Sequence, residues 1–294
     1  MSEQALRLPL LPHSDAGLRR RKILERAAVL TVTACALLTV TFLVLILGYI
    51  AYKGISYINW GFLTHLPRPA GEPGGGVVNG IVGSLVIVGL ATVMAIPIGV
   101  GAAIFVNEFP SPVLGRFVRG LADILTAVPS IVVGIFAFTL IVTPTRHFSG
   151  LSGSVAYAFI MVPIILVTSQ EALRLVPNSL REASLALGVP RWRTTLSVVM
   201  PVASRAVGTG VLLAFARAIG ETAPMIFTAF GNQFWNLDPN KPMATLPLII
   251  YRYATGPYDD WHSQAWAGAF LLVVLVLFVS ILTRFVLRRS THDE

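Results

Sequence analysis

The chain has 294 residues, of which 55% are hydrophobic and only 12% are charged. A soluble domain of this length does not need so much apolar surface, so the composition predicts an integral membrane protein. The formal net charge is +8. Because the Lys and Arg residues are spread over short connecting segments, we expect them to contact the lipid bilayer surface and expect no nucleic acid partner.

Six segments are long and apolar enough to cross a bilayer, which takes about 20 residues at about 1.5 Å each. The third holds only Asp123 near its start, and the fifth tolerates Arg217 and Glu221. We therefore predict an all-α membrane protein of six transmembrane helices, with a transmembrane domain over 27–287 between tails 1–26 and 288–294. The predicted spans are 27–50, 81–106, 121–142, 151–168, 206–230 and 265–283.

The orientation follows from the positive charges in the connections. With both termini in the cytoplasm, 16 of the 22 Lys and Arg residues lie inside and 5 lie outside. Cytoplasmic loops carry such an excess, so we predict a multi-pass protein of the inner (plasma) membrane with both termini cytoplasmic.

Catalytic and metal sites are not indicated. The single cysteine, Cys35, lies inside the first predicted span, and the five histidines are scattered over tails and outside loops. No nucleophile arrangement or ligand spacing is discernible. We expect no metal, no cofactor and no enzymatic activity of the chain itself.

The segment 170–205 is too polar to cross a bilayer and carries helix signals. Ser179 and Glu182 have capping-box spacing, Gly188 can end a helix, and Pro190 suits the start of a second helix running to Pro201. The pattern predicts a cytoplasmic helix-turn-helix. It is either an amphipathic hairpin on the lipid headgroups or a projection that binds a cytoplasmic partner.

The stretch EASLALGVPRWRTTLSVVMP, Glu182 to Pro201, resembles the EAA loop of ABC-importer permeases. Glu182, Ala183, Gly188 and Pro201 match the motif, and Ser184 stands for its second alanine. The resemblance implies a type I importer-like permease fold, in which this coupling loop docks as a short helix into a groove of a cytoplasmic ATPase.

A narrower resemblance starts at Gly71 and covers most of the remaining chain. The stretches EPGGGVVNGIVGSL, ARAIGETAPMIFTAFGNQFW and TLPLIIYRYATGPYDDWHSQAWAG are similar to the permease family of phosphate importers. This likeness implies inorganic phosphate as the substrate. It also implies three partners, namely a related second permease, a cytoplasmic ABC ATPase dimer that uses the ATP, and an external phosphate-binding protein.

The fifth span places Arg217 and Glu221 four positions apart, on one helix face. Arg217 lies 12 residues beyond Arg205, at a depth of roughly 18 Å, near the midplane. An isolated charge there costs at least about 2.5 kcal/mol. Two hypotheses remain: the pair fixes the helix against its neighbours, or Arg217 meets the phosphate while Glu221 restrains its binding.

Other functions stay open at this stage. The chain could be an ABC permease for another oxyanion, such as sulfate or molybdate. A channel or carrier independent of ATP would leave the coupling loop without a purpose, and a membrane scaffold without transport would leave the midplane charges unexplained.

Overall fold

The computed structural model describes residues 15–109 and 113–289, with the side chains of 20–109 and 113–282. The predicted all-α class is confirmed. Of the predicted tails, 1–14 and 290–294 lie outside the described residues, whereas 15–26 and 288–289 are helical. The helices are α1 Asp15–Gly54, α2 Trp60–Thr64, α3 Val78–Glu108, α4 Leu114–Ala127, α5 Ser130–Ala137, α6 Thr143–Thr145, α7 Gly150–Arg174, α8 Asn178–Ala186, α9 Arg191–Thr194, α10 Met200–Ile219, α11 Ala223–Thr228, α12 Leu246–Ala254 and α13 Asp259–Arg289.

Within the described residues, five helices are long and apolar enough to cross a membrane, and a bent pair can form a sixth span. Helices α1, α3, α7 and α13 contain the first, second, fourth and last predicted spans. By its contacts the chain divides into two compact units, 1–51 and 52–294. The first unit contains α1 up to Ala51, and the second contains the remaining helices.

The third predicted span is not straight. Helix α4 and the helical stretch from Ser130 to Thr145 meet at an angle of 105°. The bend lies at Val128 and Pro129, where Val128 has extended backbone angles. Proline disfavours the helical conformation of the residue before it, so the chain must leave the helix at this point.

The helix that contains the fifth predicted span begins and ends at other residues than predicted. It begins at Arg191 and continues to Ile219, so the second helix of the 170–205 segment does not end at Pro201. It then breaks at Gly220, and the short helix α11 follows with Pro224 in its first turn. Pro224 has no N–H group and its ring would clash with the carbonyl of Gly220, which favours a break in the helix at this point.

Two π-helical turns interrupt the helices, at Phe138–Val142 and Thr195–Val199. Each ends two residues before a proline, Pro144 or Pro201. A π turn widens the helix by one residue, which relieves the steric conflict and the lost hydrogen bond that a proline creates inside a helix. The second π turn thus joins the 170–205 segment to the fifth span as one continuous helix.

The core forms where small residues allow close helix packing. A Cβ atom added at Gly99 of α3 would lie 2.8 Å from the side chain of Ile165 on α7, and one added at Gly210 of α10 would lie 2.1 Å from Thr168. Helix α7 is therefore the central helix of the second unit, in close contact with both α3 and α10.

Candidate functional site

The predicted pathway residues lie at the break in the fifth span. Arg217 is in the last turn of α10 and Glu221 follows Gly220. Their charged atoms, Nε of Arg217 and Oε1 of Glu221, are 3.7 Å apart, and the side chains are 52% and 22% exposed. The distance is longer than a good hydrogen bond. We call Arg217 and Glu221 the open pair, because much of the arginine is free to contact another group.

A buried tyrosine fixes the backbone of the break. Tyr157 on α7 donates a hydrogen bond of 2.6 Å from its hydroxyl to the carbonyl of Glu221. The amide of Glu221 donates in turn to the carbonyl of Ala218, at 3.1 Å. Irregular backbone at membrane depth needs such partners, because lipid offers none. The position of Glu221 is therefore set by α7 as well as by its own helix.

The two interrupted spans meet beside the open pair. A Cβ atom added at Gly134 of α5 would lie 2.7 Å from Pro224 of α11. Arg217 borders a cavity of about 10 Å³ with Thr126 and Ser130, which flank the α4–α5 bend. That volume holds about one water molecule. The bend is absent from the predicted third span, which is continuous, although the dipeptide Val128-Pro129 is a local signal for it.

The structure brings four of the five predicted coupling residues together on α8 and the turn that follows it. Glu182 and Ala183 are exposed, whereas Ser184 is buried and shares a hydrogen bond of 2.9 Å with the hydroxyl of Thr194. Gly188 has a φ of +79°, the left-handed conformation expected after a helix end. Pro201 lies apart from them, beyond the π turn.

The predicted capping box is wrong. Helix α8 begins at Asn178 with Pro177 in the N-cap position, so Ser179 is already inside the first turn. Proline lacks an N–H group and suits the edge of a helix, so α8 starts directly after Pro177, two residues earlier than the Ser179 pattern predicts. Next to the exposed residues of α8, Leu187 and Trp192 also present large apolar surfaces to solvent.

A second ion pair, missed by the sequence analysis, joins α8 to the rest of the protein. Nη2 of Arg181 lies 2.7 Å from Oε1 of Glu108, and the two side chains are only 17% and 9% exposed. Glu108 is the last residue of α3, 73 residues away along the chain. We call Glu108 and Arg181 the closed pair. Such a separation leaves no local spacing from which the contact could be predicted.

Arg181 uses all of its donors. Its Nε and Nη2 groups donate to the Glu108 carboxylate, and Nη2 also donates to the carbonyl of Leu173, at 2.8 Å. Nη1 donates to the carbonyl of Val176 at 2.6 Å and to Oδ1 of Asn178 at 3.3 Å. Since a guanidinium group has five N–H bonds, each of them has a partner here. Arg181 thus binds the ends of α3 and α7 at once.

Comparison with known proteins identifies the family. Residues 95–292 match the model of the binding-protein-dependent transport system inner membrane component. The phosphate transport system permease protein PstA of Yersinia pestis is 39% identical over 93% of this chain and 92% of its own length. That of Xylella fastidiosa is 41% identical over 92% and 95%. The probable PstA of Methanocaldococcus jannaschii is 32% identical over 91% and 95%.

Solved structures agree on the fold. The MetNI methionine ABC transporter, in an inward-facing conformation, has a chain that matches with a TM-score of 0.63 at 18% identity, over 74% of this chain and 96% of its own. A bacterial alginate ABC transporter matches with a TM-score of 0.64 at 14% identity, over 93% and 96%. The chain therefore belongs to the binding-protein-dependent transport system inner membrane component family and, within it, to the PstA permeases.

Proposed function

We propose that this protein is the membrane-spanning permease subunit of an ATP-driven inorganic phosphate importer. The substrate rests on the PstA relatives, each of which matches over more than nine-tenths of both chains. The chain itself does not hydrolyse ATP. It works with a related second permease, a cytoplasmic ABC ATPase dimer and an external phosphate-binding protein, and both of its termini lie in the cytoplasm.

Arg217 is the residue that meets the anion. The observation that carries this assignment is a half-exposed arginine at a break in an apolar span. Arginine in lipid costs at least about 2.5 kcal/mol, so the exposed part of its side chain must face water, substrate or another protein chain. Its planar group can donate paired hydrogen bonds to phosphate oxygens. In a permease pair, that face lines the pathway.

Glu221 limits how tightly the phosphate is held. Its carboxylate lies 3.7 Å from the guanidinium and competes with the anion for it. A transport site must bind weakly enough to release its substrate. When no anion is bound between transport cycles, the carboxylate also lowers the free-energy cost of the charged arginine within the span. The cavity of about 10 Å³ beside Arg217 is too small for phosphate, so phosphate passes only when this chain and its partner open around the arginine.

The exposed face of α8 and its turn is the docking surface for the ATPase. Glu182 and Ala183 point outward, and Leu187 and Trp192 supply apolar surface for a groove on the partner. Ser184 instead holds α8 against α9, and Gly188 gives the tight turn between them. Pro201 acts at a distance, through the π turn that joins this surface to α10.

The test is phosphate uptake by the Arg217→Gln variant in cells depleted of other phosphate carriers. Uptake falls at least tenfold, while co-purification with the ATPase and the second permease is unchanged. Arg205→Gln is the matched control, because Arg205 is an exposed arginine on the same helix three turns earlier. Uptake by that control stays within twofold of the parent. Normal uptake by Arg217→Gln contradicts the assignment.

A competition experiment tests the substrate. Uptake of labelled phosphate is measured with sulfate or molybdate in excess. We expect an excess of unlabelled phosphate to lower this uptake, and an excess of sulfate or molybdate to leave it unchanged. A chain that takes up sulfate or molybdate in preference to phosphate would be a permease for that oxyanion instead.

A further inference from the structure

The closed pair lies on the route by which α8 meets the membrane-spanning helices. We infer that Arg181 is a positioning residue that transmits the movement of α8 to α3 and α7, and that it does so through Glu108 and the terminal carbonyls of α7. This inference rests on the proposed function, in which an ATPase moves α8.

Arg181 makes several contacts in different directions. It is on α8, whereas its partners are Glu108 at the end of α3, the carbonyl of Leu173 in the last turn of α7 and that of Val176 just beyond this helix. One planar group therefore joins three helices. Its paired bonds to the carboxylate fix direction as well as distance, so α8 cannot turn without moving both helix ends.

The closed pair is mostly enclosed. The Arg181 and Glu108 side chains are only 17% and 9% exposed. Asn107 also donates a hydrogen bond of 2.7 Å to Oε1, the oxygen that accepts from Nη2 of Arg181. Breaking a buried and fully bonded pair costs more than breaking an exposed one. Movement of α8 is thus more easily passed on than absorbed at this joint.

Helix α7 leads from the closed pair to the open pair. Its last turn is bound by Arg181, and Tyr157, 16 residues or about 24 Å earlier in the same helix, donates to the carbonyl of Glu221. The helix stays continuous through Pro163, which lies between these two contacts, and so connects the closed pair to the backbone of the open pair. Contiguity of this kind proposes a route, and only a measured coupling establishes it.

A second connection runs through α9. Ser184 on α8 bonds to Thr194, from which the chain continues through the π turn into α10. The side-chain contact at that joint is one hydroxyl pair at 2.9 Å, whereas Arg181 makes charge-assisted bonds, which are about twice as strong as neutral ones. Of these two side-chain connections, the stronger one leads to α3 and α7.

The test uses the complete complex in proteoliposomes, with phosphate uptake and ATP hydrolysis measured in the same sample. Arg181→Lys keeps the charge but replaces the planar fork by a single ammonium group. Glu108→Gln keeps the shape and removes the charge. For both variants we expect at least a fivefold loss of phosphate transported per ATP hydrolysed, with hydrolysis at half the parent rate or more.

Glu171→Gln is the matched control, because Glu171 forms an exposed pair with Arg174 near the same helix end. Its transport ratio stays at the parent value. An unchanged ratio in both variants, with uptake and hydrolysis falling together or not at all, overturns the inference. So does failure of both variants to bind the ATPase, since the pair would then serve assembly. A parent complex that hydrolyses ATP without taking up phosphate contradicts the proposed substrate instead.

Discussion

The closed pair and the open pair have the same chemistry and opposite surroundings. Arg181 and Glu108 are 73 residues apart in sequence, 2.7 Å apart in space and mostly enclosed. Arg217 and Glu221 are four residues apart, 3.7 Å apart and, in the case of the arginine, half exposed. The first arginine has a partner for every N–H bond, and the second keeps donors available. A structural arginine and a substrate-binding arginine therefore differ in how many of their N–H groups are bonded and in how exposed the side chain is, more than in charge.

Stability measurements give the largest expected difference between the pairs. Glu108→Ala leaves the part-buried Arg181 without its countercharge, which costs about 3 kcal/mol of stability, the lower end of the range for buried pairs. Glu221→Ala leaves an arginine that faces water, and we expect a loss under about 1 kcal/mol. Thermal unfolding of the purified complex measures both. Equal losses of stability in the two variants would contradict this difference, because the open pair would then be as enclosed as the closed pair.

A change of the cation at position 217 has the next largest expected effect. Loss of a hydrogen bond to a charged group costs about 1.5–3 kcal/mol, or about 10-fold to 100-fold in rate. Arg217→Lys keeps the charge but cannot donate in the paired geometry, so its uptake lies between those of the parent and of Arg217→Gln. An initial-rate series over phosphate concentration measures this order. If the Lys and Gln variants are equally impaired, charge is not what the site supplies.

Tyr157→Phe tests the contact between α7 and the break after α10, and its expected effect is smaller. The change removes one hydrogen bond to the carbonyl of Glu221, worth about 1 kcal/mol, or about fivefold in uptake. Assembly is unaffected, since the ring still fills the same core position. Met161, also fully buried on α7, provides a control in Met161→Leu, which conserves volume. Uptake equal to the parent in Tyr157→Phe would show that the break does not depend on α7.

Ser184→Ala gives the smallest expected effect. It removes the hydroxyl contact with Thr194 and costs about 0.5–1.5 kcal/mol, while the exposed docking face is unchanged. Co-purification with the ATPase and the ratio of phosphate to ATP both stay at the parent values. A lower ratio would mean that force passes through α9 and α10, which contradicts the preference for the closed pair.

Local patterns account for what the sequence could predict. Apolar runs of about 20 residues gave the membrane class and the positions of α1, α3, α7 and α13, because a span is defined by length and hydropathy alone. The spacing of Arg217 and Glu221, and the residues Glu182 to Gly188, are likewise local. The role of these residues remains a proposal, as do the predicted domain limits.

The remaining features depend on contacts that no local pattern contains. Pro129 and Pro224 were visible in the sequence, but many membrane helices tolerate proline, so whether one bends or breaks depends on its neighbours. At Gly134 and Pro224 the two broken spans pack against each other, which stabilises both irregular stretches. The closed pair joins positions in different helices. Only the folded chain shows that Glu108 and Arg181 meet.

In the proposed mechanism, Arg217 supplies a water-facing positive charge to the phosphate pathway. The most direct test of this role is chemical rescue of Arg217→Cys in a Cys35→Ser background, since Cys35 is the one cysteine of the chain. Modification with 2-aminoethyl methanethiosulfonate restores a cation, and the account predicts that phosphate uptake partly recovers, while the anionic sulfonatoethyl reagent reacts and leaves the variant inactive. Failure of either reagent to reach the thiol, or equal recovery with both, would contradict the account.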